Sequence, residues 1–226
     1  MVVKIRLILS KAMMIFCDFD HTLFNTSSLV EDYKKICLRY GIDEAKWDEI
    51  LSRFSSIASE KSLLFSNKEF CNQVGGLYGK HDSHLEEELN QLVKESAKEW
   101  LFSDTVAFLK KYKKENLAII TFGDDLFQSQ KVQYSGIADF FSFCEITGGH
   151  KAPVIQKLIT DNALQGPFYF LDDKPEHFIA VKQMPVNVIT ILLGHKERQK
   201  EVMPTDSCDH VATSLLGASE IIDYKQ

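Results

Sequence analysis

The 226-residue sequence predicts an α/β protein in which a block of helices interrupts a parallel β-sheet. A short apolar, β-prone segment at residues 13–19 precedes a stretch with helical texture that extends to about residue 100. Beyond it, strand-like and helix-like segments alternate. Such alternation is typical of crossover connections, which build a parallel sheet with helices on both faces. The predicted fold is therefore a Rossmann-like, doubly wound parallel sheet with an all-α domain inserted after its first strand.

The first strand and the insertion differ clearly in pattern. "MMIFCDF" is apolar at successive positions, which is typical of a strand buried on both faces. The next segment, "SSLVEDYKKICLRYG", instead spaces its apolar residues at helical intervals, with Ser27 or Ser28 as the N-cap and Gly41 as the stop. Three similar patterns follow. We therefore assign residues 25–100 to the helical domain, and residues 1–24 and 101–226 to the sheet domain.

The remainder of the chain predicts one helix from Ser103 and then four further strands. The strands are "LAIITF", "FFSFCEIT", "PFYFLD" and "NVITILLG". The helices "DLFQSQKVQYSG", "APVIQKLITD" and "PEHFIAVKQM" follow the first three of them. Ligands of open α/β sheets bind beyond the carboxyl ends of the strands, so candidate functional residues are those that close each strand.

Composition argues against several classes of protein. The formal net charge is −6 with acids and bases mixed along the chain, which does not suit a nucleic-acid-binding face. The five cysteines form no CxxC pair and are expected to be free thiols. Basic residues interrupt the apolar N-terminus, so no signal peptide or membrane span is predicted, and Met13 or Met14 is an alternative start. We expect a cytoplasmic protein, monomeric or dimeric, without nucleic-acid or membrane partners.

Polar residues stand where four predicted strands end or the next helix begins. Because these ends share one edge of the sheet, four acids, one hydroxyl group and one lysine should converge there. Taken singly, each has a purely structural interpretation, such as a strand-end turn or a helix cap. In chain order they are Asp18, Asp20, Thr121, Lys151, Asp172 and Asp173, and Phe122 and Gly123 follow Thr121 at the end of its strand.

The ordered segments "DFDHT", "ITFGD", "GGHK" and "FLDD" resemble the four motifs of the haloacid dehalogenase superfamily. The resemblance covers nearly the whole chain outside the insertion, and the insertion itself resembles the helical cap of that family. It implies a Mg²⁺-dependent phosphatase that hydrolyses a small phosphomonoester metabolite through an aspartyl-phosphate intermediate. A carboxylate nucleophile splits one difficult hydrolysis into two easier steps, and Mg²⁺ offsets its repulsion of an anionic substrate.

The resemblance assigns a role to each of the four acids. Asp18 would be the nucleophile and a metal ligand, and Asp20 would bind Mg²⁺ through its backbone carbonyl. Asp172 or Asp173 would be the closer metal ligand; we favour Asp173, with Asp172 behind it. The side chain of Asp20 would act as general acid and base, and we expect nearby carboxylates and partial desolvation to raise its pKa.

The phosphate would be bound by the second and third motifs. The resemblance implies that Thr121 Oγ1 and the backbone N–H groups of Phe122 and Gly123 bind phosphoryl oxygens. Lys151 would add a compact positive charge. Two other lysines compete for that role, Lys131 and Lys157, but both lie further into predicted helices.

Several nearby residues have weaker assignments. We expect His21 to be a turn residue and His177 to lie on the surface of a helix. Gln128 is expected to face the cap, and Asn25 and Thr26 lie at the junction where a cap would open and close.

Three other functions share part of this pattern. A phosphotransferase or phosphomutase would use the same first step with an organic acceptor. A carbon dehalogenase would need neither the Asp20 carboxyl group nor Mg²⁺. A non-catalytic relative would bind a phosphate ligand without turnover.

Overall fold

The computed structural model describes residues 13–61, 64–79, 83–198 and 202–224. The leader considered at residues 1–12 lies outside this part. Six parallel strands form one sheet in the order β3-β2-β1-β4-β5-β6. They are β1 (Met14–Cys17), β2 (Leu117–Phe122), β3 (Phe143–Thr147), β4 (Phe168–Asp172), β5 (Val188–Leu193) and β6 (His210–Ala212). The predicted Rossmann-like α/β core is thereby confirmed.

Strand β1 lies at the centre of the sheet, which explains why it is apolar throughout. Ile15 pairs with Leu117 of β2 on one side and with Tyr169 of β4 on the other. Its alternate residues enter two separate hydrophobic clusters, one on each face of the sheet. A parallel strand covered on both faces has no solvent side to make polar.

The helices that cover the sheet follow its strands. They are α5 (Thr105–Leu109), α6 (Asp125–Tyr134), α7 (Lys151–Asp161), α8 (Glu176–Lys182) and α9 (Leu215–Tyr224). Ala152 and Ile155 of α7 pack with Phe178 of α8 on one face. Phe127 of α6 and Leu215 of α9 belong to the cluster on the other face.

Four helices stand between β1 and α5. They are α1 (Thr26–Arg39), α2 (Glu44–Lys61), α3 (Asn67–Tyr78) and α4 (Ser83–Ser96). Helix α1 begins at Thr26 with Asn25 as its N-cap, so the prediction of Ser27 or Ser28 as the cap is wrong. The N–H group of Asn25 donates to the carbonyl of Trp100 at 2.6 Å, which joins the two ends of the insertion. The domain boundaries themselves stay a prediction.

Four other elements differ from the sequence-based prediction. The helix expected from Ser103 is short, because the chain turns after Leu109 and places Lys111 against Asp223 of α9. The third predicted strand begins only at Phe143. Strand β6 and helix α9 were not predicted. The cysteines in the described residues are all free, and no helix there is long and apolar enough to cross a membrane.

Candidate active site

Three carboxylates and one ammonium group meet at the carboxyl edge of the sheet. Asp18 follows β1, Asp172 ends β4 with Asp173 beside it, and Lys151 is the first residue of α7. Carboxylate oxygens of the three acids all lie within 4.8 Å of one another. The residues that close β1 and β4 therefore meet as the strand order requires, since these two strands are neighbours.

Lys151 is the cation of this cluster. Its Nζ atom lies 2.5 Å from Oδ1 of Asp18 and 2.7 Å from Oδ2 of Asp172. All four side chains are buried. With all three acids ionised, three carboxylates and one ammonium group carry a formal charge of two minus, and such close burial of like charges is unfavourable.

The excess of negative charge affects the pKa of Asp18. Burial raises the pKa of its carboxyl group, Lys151 opposes that effect, and the charges of Asp172 and Asp173 reinforce it. The hydroxyl group of Thr22 also donates to Oδ2 of Asp18 at 3.2 Å. Asp18 thus holds its charge only at the cost of close repulsion, which a further cation would relieve.

Asp172 is occupied by protein donors. Its Oδ1 atom accepts the N–H group of Lys174 at 2.9 Å, and its Oδ2 atom lies 2.8 Å from Nδ1 of His177 in addition to Lys151. Burial works against ionisation, but Lys151 and His177 together lower the pKa of Asp172. His177 therefore contacts the site from a partly exposed position, so it is more than a surface residue of the helix. Both oxygens of Asp172 accept from protein donors, and Asp173 as the closer metal ligand stays a prediction.

The donor set fits a hard divalent cation. Mg²⁺ prefers carboxylate and carbonyl oxygens and is usually held by one or two carboxylates. Asp18 and Asp173 supply such oxygens in a buried site that carries two excess negative charges. The charge and the chemistry of the donors therefore agree with a metal centre of this kind.

Asp20 has a different environment from the one we expected. Nζ of Lys131 lies 2.6 Å and 2.8 Å from its two carboxylate oxygens. Gln128 Nε2 donates to Oδ2 at 2.7 Å, and Thr26 Oγ1 donates to Oδ1 at 2.6 Å. Burial opposes the charge, but Lys131 and the other donors outweigh it and lower the pKa of Asp20 to about 2. The expected rise is wrong because the nearest charged group is a lysine rather than a carboxylate.

Lys131 and Gln128 both belong to this site, although the sequence indicated Lys131 only as a rival of Lys151 and Gln128 only as a residue that faces the cap. Both side chains are buried and donate to Asp20. The signal was their spacing: residues three apart lie on one face of a helix. Helix α6 turns that face toward Asp20.

The second motif is only partly available to a phosphate. Thr121 Oγ1 is buried, and it has no hydrogen-bond partner among the described residues. A buried hydroxyl group without a partner is expected where a ligand supplies that partner. The N–H group of Gly123, however, donates to the carbonyl of Thr147 at 3.0 Å, so its predicted phosphate contact is wrong. Nothing in the structure opposes the predicted role of the Phe122 N–H group, while its carbonyl accepts from Gln128 at 2.8 Å.

Gly123 instead makes room for Gln128. A Cβ atom at this position would lie 2.6 Å from Nε2 of Gln128, and the backbone has a φ of +153°. His21 also has a positive φ, +62°, which agrees with its assignment as a turn residue. Both tight backbone positions lie beside Asp20 or its donors.

Comparison with known proteins finds similar folds but no similar sequences. No family model and no curated protein matches this sequence. A protein described as a haloacid dehalogenase-like hydrolase, from Burkholderia xenovorans, is 16% identical with a TM-score of 0.71, over 94% of this chain and 97% of that one. The HAD-type hydrolase YfnB from Bacillus subtilis, bound to magnesium, is 13% identical with a TM-score of 0.67, over 94% and 99%.

A third similar structure is L-2-haloacid dehalogenase from Xanthobacter autotrophicus, 11% identical with a TM-score of 0.65, over 93% of this chain and 98% of that one. The chain therefore has the fold of the haloacid dehalogenase-like hydrolases, as its four motifs predicted. Structures with this fold include enzymes that act on carbon–halogen bonds, so fold alone does not define the reaction.

Proposed function

We propose that this chain is a Mg²⁺-dependent phosphatase of the haloacid dehalogenase superfamily, which hydrolyses a small phosphomonoester metabolite. The carrying observation is the buried cluster of Asp18, Asp172, Asp173 and Lys151, in which three carboxylates lie close together beside one ammonium group, an arrangement that a divalent cation would stabilise. Asp18 and Asp173, with the backbone carbonyl of Asp20, would hold the ion. When bound, Mg²⁺ would offset the negative charge of the phosphoryl group beside Asp18.

In the first step a carboxylate oxygen of Asp18 attacks phosphorus. An O–P bond forms on Asp18, the P–O bond to the alcohol breaks, and the leaving oxygen keeps the electron pair and takes up a proton from water. Lys151, fixed by Asp18 and Asp172, orients the nucleophile and attracts the phosphoryl oxygens. The unpaired Thr121 Oγ1 supports a further contact with the same group.

In the second step water attacks the phosphorus atom of the aspartyl phosphate. The bond from phosphorus to Asp18 breaks, and Asp18 returns as a carboxylate. The proton that this water loses passes to solvent, and inorganic phosphate is released. The low pKa of Asp20 keeps it ionised, so its carboxylate would orient the attacking water through a hydrogen bond. The donors around Asp20 weaken it both as a proton donor and as a base, and they do not suit the general acid role that the resemblance implies.

The main rival is hydrolysis of a carbon–halogen bond, because a haloacid dehalogenase shares the fold. That reaction would not need the Asp20 carboxyl group or a divalent ion. Asp20 is nevertheless held by four hydrogen bonds, and the Asp18 cluster has excess negative charge. Both observations favour phosphoryl chemistry.

The test is a parallel assay of phosphate and halide release. The purified protein would be incubated with 4-nitrophenyl phosphate, a panel of phosphorylated metabolites and a set of 2-haloacids, with Mg²⁺ or with a chelator. We expect phosphate release only with Mg²⁺, loss of it in Asp18→Asn, and little change in the control Asp161→Asn, an exposed residue at the end of α7. Halide release that survives the chelator would overturn the proposal.

Acceptor alcohols added to the same assay separate hydrolysis from transfer. A phosphatase releases inorganic phosphate whether or not the acceptor is present. Transfer of most of the phosphoryl group to a sugar would instead identify a phosphotransferase. No turnover of any phosphomonoester would favour a ligand-binding relative.

A further inference from the structure

We propose that Lys131 is the positioning residue for Asp20, and that it holds this carboxylate in the orientation that the hydrolysis uses. The inference rests on the proposed function and adds a residue that none of the four motifs contains. Lys131 is placed in α6, remote in sequence from Asp20, and both of its short contacts are to that carboxylate. Within the part of the chain that the structure describes, it forms no hydrogen bond with Asp18 or Lys151.

The position of Lys131 is unusual for a lysine. Its relative exposure is 2%, and its Nζ atom lies 5.1–5.5 Å from the ring centroids of Phe19, Phe24 and Phe127. Transfer of an ammonium group to such surroundings is costly unless it is paired and hydrogen-bonded. Aromatic faces offset part of that cost. The short bidentate contact with Asp20 offsets the rest, so the ammonium and the carboxylate fix each other.

The contacts define one orientation of Asp20. Oδ1 accepts from Lys131 and Thr26, and Oδ2 accepts from Lys131 and Gln128. Among the described donors, Lys131 contacts both oxygens, whereas Thr26 and Gln128 each hold one, so Lys131 makes the largest single contribution to fixing the carboxylate plane. Lys131 and Gln128 come from α6 of the sheet domain, whereas Thr26 begins α1 of the insertion.

Gln128 indicates that these contacts do more than stabilise the fold. While its Nε2 atom donates to Asp20 and to the Phe122 carbonyl, its Oε1 atom is buried without a hydrogen-bond partner among the described residues. A buried unsatisfied acceptor destabilises a protein by about 1–3 kcal/mol. Sites that keep such a cost are commonly functional. The arrangement thus holds Asp20 in place even though it lowers the local stability of the protein.

The alternative is that Lys131 only neutralises a buried acid. A lysine that only neutralises Asp20 would affect stability and the pH profile of kcat, but the Asp20 carboxylate would keep its orientation in a folded variant without it. A positioning lysine affects kcat, because a small displacement of a catalytic group slows the chemical step without weakening substrate binding.

The experiment compares Lys131→Met, Lys131→Arg and the control Lys182→Met. Lys182 is also an ion-paired lysine of the sheet domain, but its partner is Asp209. With 4-nitrophenyl phosphate and Mg²⁺ we expect Lys131→Met to lower kcat about a hundredfold and to change KM less than about threefold. Lys131→Arg should recover most of kcat, and Lys182→Met should resemble the wild type.

Two further measurements exclude a purely structural effect. In an Asp20→Asn background, Lys131→Met should change kcat less than about twofold, because the group it positions is already absent. A crystal structure of Lys131→Met should show the Asp20 carboxylate rotated from its present position. If Lys131→Met does not fold, Lys131→Gln, which keeps one donor, takes its place in both measurements.

The outcomes separate this inference from the proposed function. A folded Lys131→Met variant with wild-type kcat, or with Asp20 in an unchanged orientation, overturns the positioning role. An equal loss of kcat in the wild-type and Asp20→Asn backgrounds overturns it too. A wild-type protein without any Mg²⁺-dependent phosphatase activity overturns the proposed function, and the crystal structure of the variant then decides the positioning role by itself.

Discussion

The Nζ atom of Lys151 lies 2.5 Å from Oδ1 of Asp18, so the first residue of α7 neutralises the acid that follows β1. The same ammonium group contacts Asp172 at the end of β4. One buried side chain therefore joins three elements of the sheet domain at the candidate active site. Lys151 therefore contributes both to the stability of the fold and to the charge environment of Asp18.

Loss of Lys151 should affect both stability and activity. Lys151→Met leaves Asp18 and Asp172 buried without their shared cation, and the free energy of unfolding should fall by about 3–5 kcal/mol. The matched control is Lys157→Met, an exposed lysine on the same helix, which should shift stability by less than about 0.5 kcal/mol. Chemical denaturation in the presence of a chelator measures both variants, and equal stabilities would contradict this account.

Asp172 and Asp173 should respond differently to the same substitution. Asp173→Asn should weaken Mg²⁺ binding by at least about tenfold with a small effect on stability, since it removes a proposed ligand. Asp172→Asn removes the partner of Lys151, Lys174 and His177, so its main effect should be on stability. Calorimetric titration with Mg²⁺, with the exposed Asp206→Asn as control, tests the assignment. A stronger loss of Mg²⁺ affinity in Asp172→Asn would reverse it.

Binding of Mg²⁺ should depend on pH. Burial, together with Asp172 and Asp173, raises the pKa of Asp18 to about 7, so below neutral pH a proton occupies the carboxylate that a metal needs. Mg²⁺ affinity should therefore rise with pH up to about 7, by at most about tenfold per pH unit, and binding should release a proton. Calorimetry in buffers of different ionisation enthalpy measures that proton. An affinity that is constant between pH 5.5 and about 8 would contradict the predicted linkage.

Gly123 should tolerate no side chain. Gly123→Ala places a Cβ atom 2.6 Å from Nε2 of Gln128 on a backbone with positive φ. We expect lower stability and lower kcat, since Gln128 must move away from Asp20. The control Gly76→Ala lies in α3, where an added Cβ atom meets nothing within 4 Å, and it should be neutral or stabilising by about 0.5–1 kcal/mol. Normal activity in Gly123→Ala would show that the Gln128 contact is dispensable.

Residues that close strands were predictable from the sequence, because strand ends in a parallel sheet share one edge. Asp18, Lys151, Asp172 and Asp173 meet where the alternation of strands and helices placed them. The shared edge of strand ends predicts where residues lie along the strands. It does not predict which side chains of the covering helices contact them. Strand β6 has only three residues, too few to form a pattern, and it was missed with the helix that follows it.

The environment of Asp20 was not predictable in the same way. Its pKa depends on which charge packs against it, and that depends on how α6 is rotated over the sheet. A lysine inside a helix is usually solvated, so Lys131 carried no signal by itself. The aromatic rings of Phe19, Phe24 and Phe127 enclose it only after the chain has folded.

The central claim is that Asp18 takes the phosphoryl group, and trapping the covalent intermediate tests it most directly. The protein would be mixed with Mg²⁺ and a ³²P-labelled phosphomonoester that it turns over, quenched in acid within milliseconds, and digested for peptide mapping. The account predicts an acid-stable, hydroxylamine-sensitive label on the peptide that contains Asp18, and none in Asp18→Asn. Turnover without any label on Asp18, or a label on another residue, would contradict it.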